Sequence, residues 1–140
     1  MKPFYIILFL CTCLASCINS GSTEKTCKDA ADSEFHPLIT FANKTQNFGK
    51  INKETRQLHY VNFEFENTGK APLVIFEVKV SCGCLSSLYP KRPVMSGEKD
   101  SMRIFINPNN QSGTFNKTIT VKSNAKNNME ILRLKGKIVK

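Results

Sequence analysis

At 140 residues, the chain has room for one domain of about 100 to 200 residues plus a targeting segment, and two full domains are excluded. Hydrophobic residues make up 41% of it, too many for a disordered polymer, so a packed core is expected. The formal charge is +9; residues 1–16 hold Lys2 and no acid, so without them 19 basic and 11 acidic side chains leave +8.

That excess suits anionic lipid headgroups, anionic polysaccharide or nucleic acid. The basic residues are nevertheless scattered. Their longest close set is Arg133, Lys135, Lys137 and Lys140. At strand spacing the first three share one face, which reads as a solvated outer face.

Residues 1–16 open with Lys2, run apolar from Phe4 through Leu10 and end in small residues, the three-part layout of a secretory signal. The run is too short for a mature membrane span, which needs about 20 apolar residues. It ends in Leu14-Ala15-Ser16-Cys17, which resembles the lipobox of bacterial lipoproteins and implies acylation of Cys17 as the new N-terminus. The membrane is then a partner through an N-terminal lipid. No acid follows in Ile18-Asn19-Ser20-Gly21-Ser22-Thr23, so the resemblance implies an outer-membrane lipoprotein facing the periplasm. An exported protein is a poor candidate for nucleic acid. Residues 17–36 read as a flexible tether.

From residue 37 to 140 the pattern becomes short β-type runs between turn clusters, with no helical period. A first strand is placed at 38–41. Residues 59–66 alternate, with Val61, Phe63 and Phe65 on one face and Asn62, Glu64 and Glu66 on the other. Asn67-Thr68-Gly69-Lys70-Ala71-Pro72 turns the chain, with backbone freedom expected of Asn67 and Gly69. A strand at 73–80 starts apolar on both faces and then alternates, as for a strand that begins centrally and ends near an edge. Pro90 and Pro93 bracket an irregular segment, Ser96-Gly97-Glu98-Lys99 turns, and Met102, Ile104 and Ile106 alternate inward. Beyond the loop at 107–113, Phe115, Ile119 and Val121 share a face, as do Leu132, Leu134 and Ile138. An immunoglobulin-like β-sandwich of about seven antiparallel strands is expected.

Six ordered motifs run through this part: Phe48-Gly49-Lys50, Asn67-Thr68-Gly69-Lys70-Ala71-Pro72-Leu73, Ser81-Cys82-Gly83-Cys84, Ser96-Gly97-Glu98, Gly113-Thr114-Phe115-Asn116-Lys117 and Val121-Lys122-Ser123-Asn124-Ala125. Together they resemble the bacterial family catalogued as domain of unknown function 1573, similar in turn to Hydin-type immunoglobulin-like domains. The resemblance covers roughly residues 37–139. Leu85 stands where that family commonly has Thr, and Met95 where it commonly has Pro. A fold is implied, and no activity comes with it.

No catalytic residues are assigned. The folded part has only His36 and His59, its sole Asp is Asp100, and no nucleophile-elbow motif surrounds Ser81, Cys82 or Cys84. Cys82 and Cys84 are open to an inert structural role, as buried thiols or a stabilising disulfide for which Cys27 is a competing partner, to a thiol redox role, or to service as two thiolates for a soft ion such as Cu(I). Zinc is disfavoured, since only Cys27, His36 and His59 remain to complete its ligands, and no cofactor is expected. The sequons at Asn43, Asn110 and Asn116 read as turn and strand composition. The expected function is a lipid-anchored envelope binding or scaffolding module, not an enzyme, with an envelope protein or glycan as partner. The alternative is thiol redox or copper handling through Cys82 and Cys84.

Overall fold

Period-two alternation builds eight strands among the residues that the computed structural model describes, which are 35–55, 57–109 and 111–140. The signal peptide, Cys17, Cys27, most of the tether and Asn110 lie outside the described residues. The strands are β1 Ile39–Phe41, β2 Thr45–Asn52, β3 His59–Asn67, β4 Ile75–Val80, β5 Leu85–Leu88, β6 Lys99–Ile106, β7 Gly113–Ser123 and β8 Met129–Val139. They form two four-stranded sheets, β1-β3-β6-β5 (sheet A) and β2-β8-β7-β4 (sheet B).

The inward residues expected of the sequence meet between these sheets: Phe63, Phe65, Met102, Ile104, Ile106, Phe115, Ile119, Val121, Leu132, Leu134 and Ile138 are buried, and Val61 is half-buried beside them. Each large side chain removed from water there stabilises the fold by about 1.5–3 kcal/mol.

Three expectations are corrected. The count is eight strands, not about seven, and not all pairs are antiparallel, because β2 runs parallel to β8. That pairing was hidden because a bulge at Phe48-Gly49 shifts the register between Asn47 and Lys50 and breaks the alternation of β2. Finally, β4 is an edge strand along its whole length. Its doubly apolar start has another origin: Leu73 forms an isolated bridge to Val94, while Phe76 sits in a bulge and is exposed.

The sandwich has two distinct poles. At the proximal pole the chain enters at Phe35, Ile39 meets Asn67, and the β7–β8 turn closes over β1 through Lys126 N–H to the Pro37 carbonyl (2.9 Å). At the distal pole His59 and Leu85 both face Ile106, and Asn107 N–H donates to the Cys84 carbonyl (2.8 Å). Gly113 there pairs with Ile138.

Candidate functional site

Most of the polar motif residues are consumed at the proximal pole. Asn67 is fully buried. Its Oδ1 accepts from Leu38 N–H (3.3 Å) and Gly69 N–H (3.1 Å), and its Nδ2 donates to the carbonyls of Ala71 (2.8 Å) and Val94 (2.9 Å). One amide thus ties four backbone groups from three segments. Residues 95–98 form a turn in which Glu98 N–H donates to the Met95 carbonyl (3.0 Å) and Gly97 takes φ +75°, a conformation that glycine adopts at no steric cost. The turn docks on the same loop, Gly97 N–H donating to the Asn67 carbonyl (2.8 Å) and Ser96 Oγ to the Gly69 carbonyl (2.6 Å).

Arg92 adds charge here, with a nitrogen 2.7 Å from Glu98 and 2.9 Å from Asp100. The hydrogen bond from Arg92, then that from Met95 N–H, holds the Glu98 carboxyl below the usual glutamate range, and Glu98 raises Arg92 in return. The β7–β8 turn contributes two further asparagines. Asn124 accepts from Val74 N–H (2.8 Å) and donates to the Pro72 carbonyl (3.0 Å). Asn127 accepts from Ile39 N–H (3.2 Å) and donates to its carbonyl (2.8 Å). Sequence reasoning met Asn124 only as part of a motif and did not single out Asn127; two amides serving strand backbone leave no periodic signal.

Gly69 also needs a different account. Its φ is not left-handed, and what it supplies is space: a Cβ there would strike the backbone of His36, Pro37 and Leu38.

The distal pole holds the cysteines. Cys82 and Cys84 are joined by a disulfide, with Cα atoms 5.2 Å apart, and both half-buried side chains pack against the core. Gly83 and Cys84 line a groove of about 510 Å³ with Leu58, Phe105 and Asn107. Leu58 is 67% exposed, and Tyr60 stacks near Phe105 (6.0 Å between centroids) under Arg103. His59 is half-buried, its Nε2 without a hydrogen-bond partner among the described residues. His36 stands at the proximal pole, where its carbonyl accepts from Lys70 N–H (3.0 Å). The two histidines are therefore not brought together. Among the described residues no three of His, Cys, Asp and Glu gather as metal ligands.

Charge divides between the sheets. The strands of sheet B carry Lys50, Lys79, Lys117, Lys122, Arg133, Lys135 and Lys137 against Glu77 and Glu130. Those of sheet A carry Lys99 and Arg103 against Glu64, Glu66 and Asp100. Both acids of sheet B are engaged, Glu77 by Lys122 (3.1 Å) and Glu130 by Lys44 (2.6 Å). Arg133, Lys135 and Lys137 do share an exposed outer face, and β2 brings Lys50 directly beside Lys137. Lys50 could not be joined to that set without the parallel pairing.

Two four-stranded sheets joined in this way define an immunoglobulin-like, PapD-like β-sandwich, and solved structures share that fold. A protein of unknown function from Porphyromonas gingivalis W83 is similar with TM-score 0.64 and 14% identity over 74% of this chain and 48% of its own. The PapD-like domain 7 of human CEP192 gives TM-score 0.60 and 12% identity over 75% and 87%. The YadV chaperone gives 0.54 and 11% over 73% and 52%. This chain thus spans about half the length of the first and third. No curated protein matches it. The family is shown by sequence: residues 39–138 match the model described as "Protein of unknown function (DUF1573)", and the chain belongs to that family.

Proposed function

We propose that this protein is a lipid-anchored envelope module, tethered through Cys17 to the outer membrane, that binds or scaffolds an envelope partner without catalysing a reaction. One observation carries the reading. The chain enters at the proximal pole, whose polar motif groups bond one another, whereas the groove beside Cys84, with exposed Leu58 and half-buried Phe105, opens at the opposite pole. The groove sets apolar Leu58 and Phe105 beside the polar side chains of Thr55, Gln57, Ser86 and Asn107, and a concave surface that joins apolar contact to polar groups can serve as a recognition site. A tether at Phe35 therefore presents this groove away from its own attachment.

A photo-crosslinking residue at Gln57 or Asn109 in intact cells should yield a discrete adduct, and one at Lys126 should not. An adduct from Lys126 alone, or none from any position, overturns the proposal. Cys17→Ser should abolish acyl labelling, and retained acylation would remove the anchor.

A second reading rests on Cys84 itself. Because it lines the groove, a partner's thiolate could exchange with the Cys82–Cys84 bridge, or the reduced pair could bind Cu(I). Thiol counting with and without reductant, and copper titration of the reduced chain, test this. A bridge that resists glutathione and takes up no copper when reduced chemically removes it.

A further inference from the structure

We infer that the distal half of the outer face of sheet B binds an acidic polysaccharide chain through Lys50, Lys135 and Lys137. The inference deepens the binding role proposed above and rests on it, but it uses a different surface.

Outward side chains recur about every 6.8 Å along a strand, and neighbouring strands are about 4.8 Å apart. Lys135 and Lys137 therefore project side by side from β8, with Lys50 opposite Lys137 and Asn47 opposite Lys135 on β2. On the other flank β7 places Thr114 opposite Lys137 and Asn116 opposite Lys135. Like charges set directly opposite destabilise a sheet, and none of these three lysines has an acidic partner among the described residues. An anionic ligand would supply the missing counter-charge.

Shape and chemistry select among anions. The surface is a shallow hollow, floored by Gly49 and Gly136 and walled by the lysine stems, with Asn47, Asn116 and Thr114 around it. The lining of the hollow is mostly apolar, made by the lysine stems and backbone, while Asn47 and Asn116 flank Lys135 and Thr114 flanks Lys137, amide and hydroxyl groups that match a chain bearing carboxylates and hydroxyls on each sugar. A nucleic acid would want aromatic rings for base stacking, but Phe48 and Phe115, the nearest rings, pack edge to face against each other (5.3 Å). A bilayer would want apolar side chains among the cations. The exposed Met129 and Ile131 instead occupy the far end of β8, towards the chain's entry.

The test uses the full chain and polygalacturonate, with neutral dextran, phosphatidylglycerol vesicles and single-stranded DNA as competing probes, in affinity electrophoresis and calorimetry. Wild type is compared with Lys50→Gln/Lys135→Gln/Lys137→Gln and with the control Lys91→Gln/Lys99→Gln, one lysine from the β5–β6 connection and one from β6. The prediction is that polygalacturonate binds and dextran does not, that added salt weakens binding, and that only the triple variant loses about tenfold or more. A thermal melt no lower than that of wild type shows that the triple variant is folded. Equal binding by the triple variant, or lysine-dependent binding of vesicles or DNA in preference to polygalacturonate, overturns the inference. Neither result touches the distal groove, whose crosslinks succeed or fail separately.

Discussion

Replacing Asn67 by alanine removes four hydrogen bonds at once from a side chain with no exposure. Each bond is worth a net ~0.5–1.5 kcal/mol, and buried groups left unpaired cost about 1–3 kcal/mol more. The Val94 carbonyl keeps a second donor, Leu73 N–H (2.9 Å), and the partly exposed Leu38 admits water to its N–H, so the loss should fall at about 3–5 kcal/mol. For a domain of this size that is a fall of about 15–30 °C in melting temperature. Asn67→Asp separates the two halves of the amide, since it keeps the acceptor for Leu38 and Gly69 but turns a second oxygen towards the carbonyls of Ala71 and Val94. It should be at least as damaging at neutral pH. Urea unfolding followed by circular dichroism measures both, with unchanged m-values confirming that only stability has moved. If Asn67→Ala falls within about 1 kcal/mol of wild type, or Asn67→Asp is tolerated, the amide does not hold the proximal pole together.

Gly69→Ala should destabilise by about 1–3 kcal/mol or more, because its Cβ would meet backbone that cannot yield cheaply; an unchanged melt would remove the close approach as the reason for this glycine. At Gly136 the clash is with the ring of Phe48, so Gly136→Ala should cost about 1–3 kcal/mol in wild type but far less in a Phe48→Ala background, and additive effects would disprove the contact. Glu98 tests the charge pair. Its carboxyl titrates below the ordinary ~4.3, so its contribution is fully present above that pH and is lost as pH falls through the lowered value. Glu98→Gln should therefore flatten the acid limb of the stability curve below about pH 4 without changing its slope near neutrality; an identical acid limb would mean that Arg92 contributes nothing through Glu98.

The legible parts of the fold were those in which one strand carries its own pattern. Phe63 and Phe65 against Glu64 and Glu66 mark β3, and Met102, Ile104 and Ile106 mark β6, because antiparallel strands with one wet face alternate strictly. Strands β2 and β5 were harder to read. The bulge in β2 interrupts the period, and its pairing to β8 joins Lys50 to Lys137 across most of the chain. Strand β5 is only four residues, Leu85–Leu88, and directly follows the disulfide turn. The candidate sites divide likewise. The spacing of Cys82 and Cys84 and the shared face of Arg133, Lys135 and Lys137 could be read locally, whereas the groove and the place of Lys50 depend on contacts between distant segments.

The same contacts bear on how the proposed partner would be held. An open sheet edge accepts a partner strand through its unpaired backbone groups. On β1, however, Asn127 already takes both the N–H and the carbonyl of Ile39, standing in for the next strand. Where β4 and β5 face each other, Ser87 Oγ donates to the Val78 carbonyl (3.4 Å) and the Tyr89 hydroxyl to the Phe76 carbonyl (3.3 Å). The remaining edge, β2, is bent by its bulge at Gly49 and carries Lys50, two devices that discourage strand addition. Recognition by side chains is therefore favoured over recognition by backbone. The two surfaces that offer it, the groove beside Cys84 and the lysines around Gly136, both belong to the distal half, while the most densely bonded motif residues belong to the proximal half. The Asn67-to-Leu73, Ser96-Gly97-Glu98 and Val121-to-Ala125 motifs thus hold the proximal pole together, whereas the Phe48-Gly49-Lys50, Ser81-Cys82-Gly83-Cys84 and Gly113-to-Lys117 motifs supply residues to the two surfaces proposed for binding, which the pairing of the sheets completes.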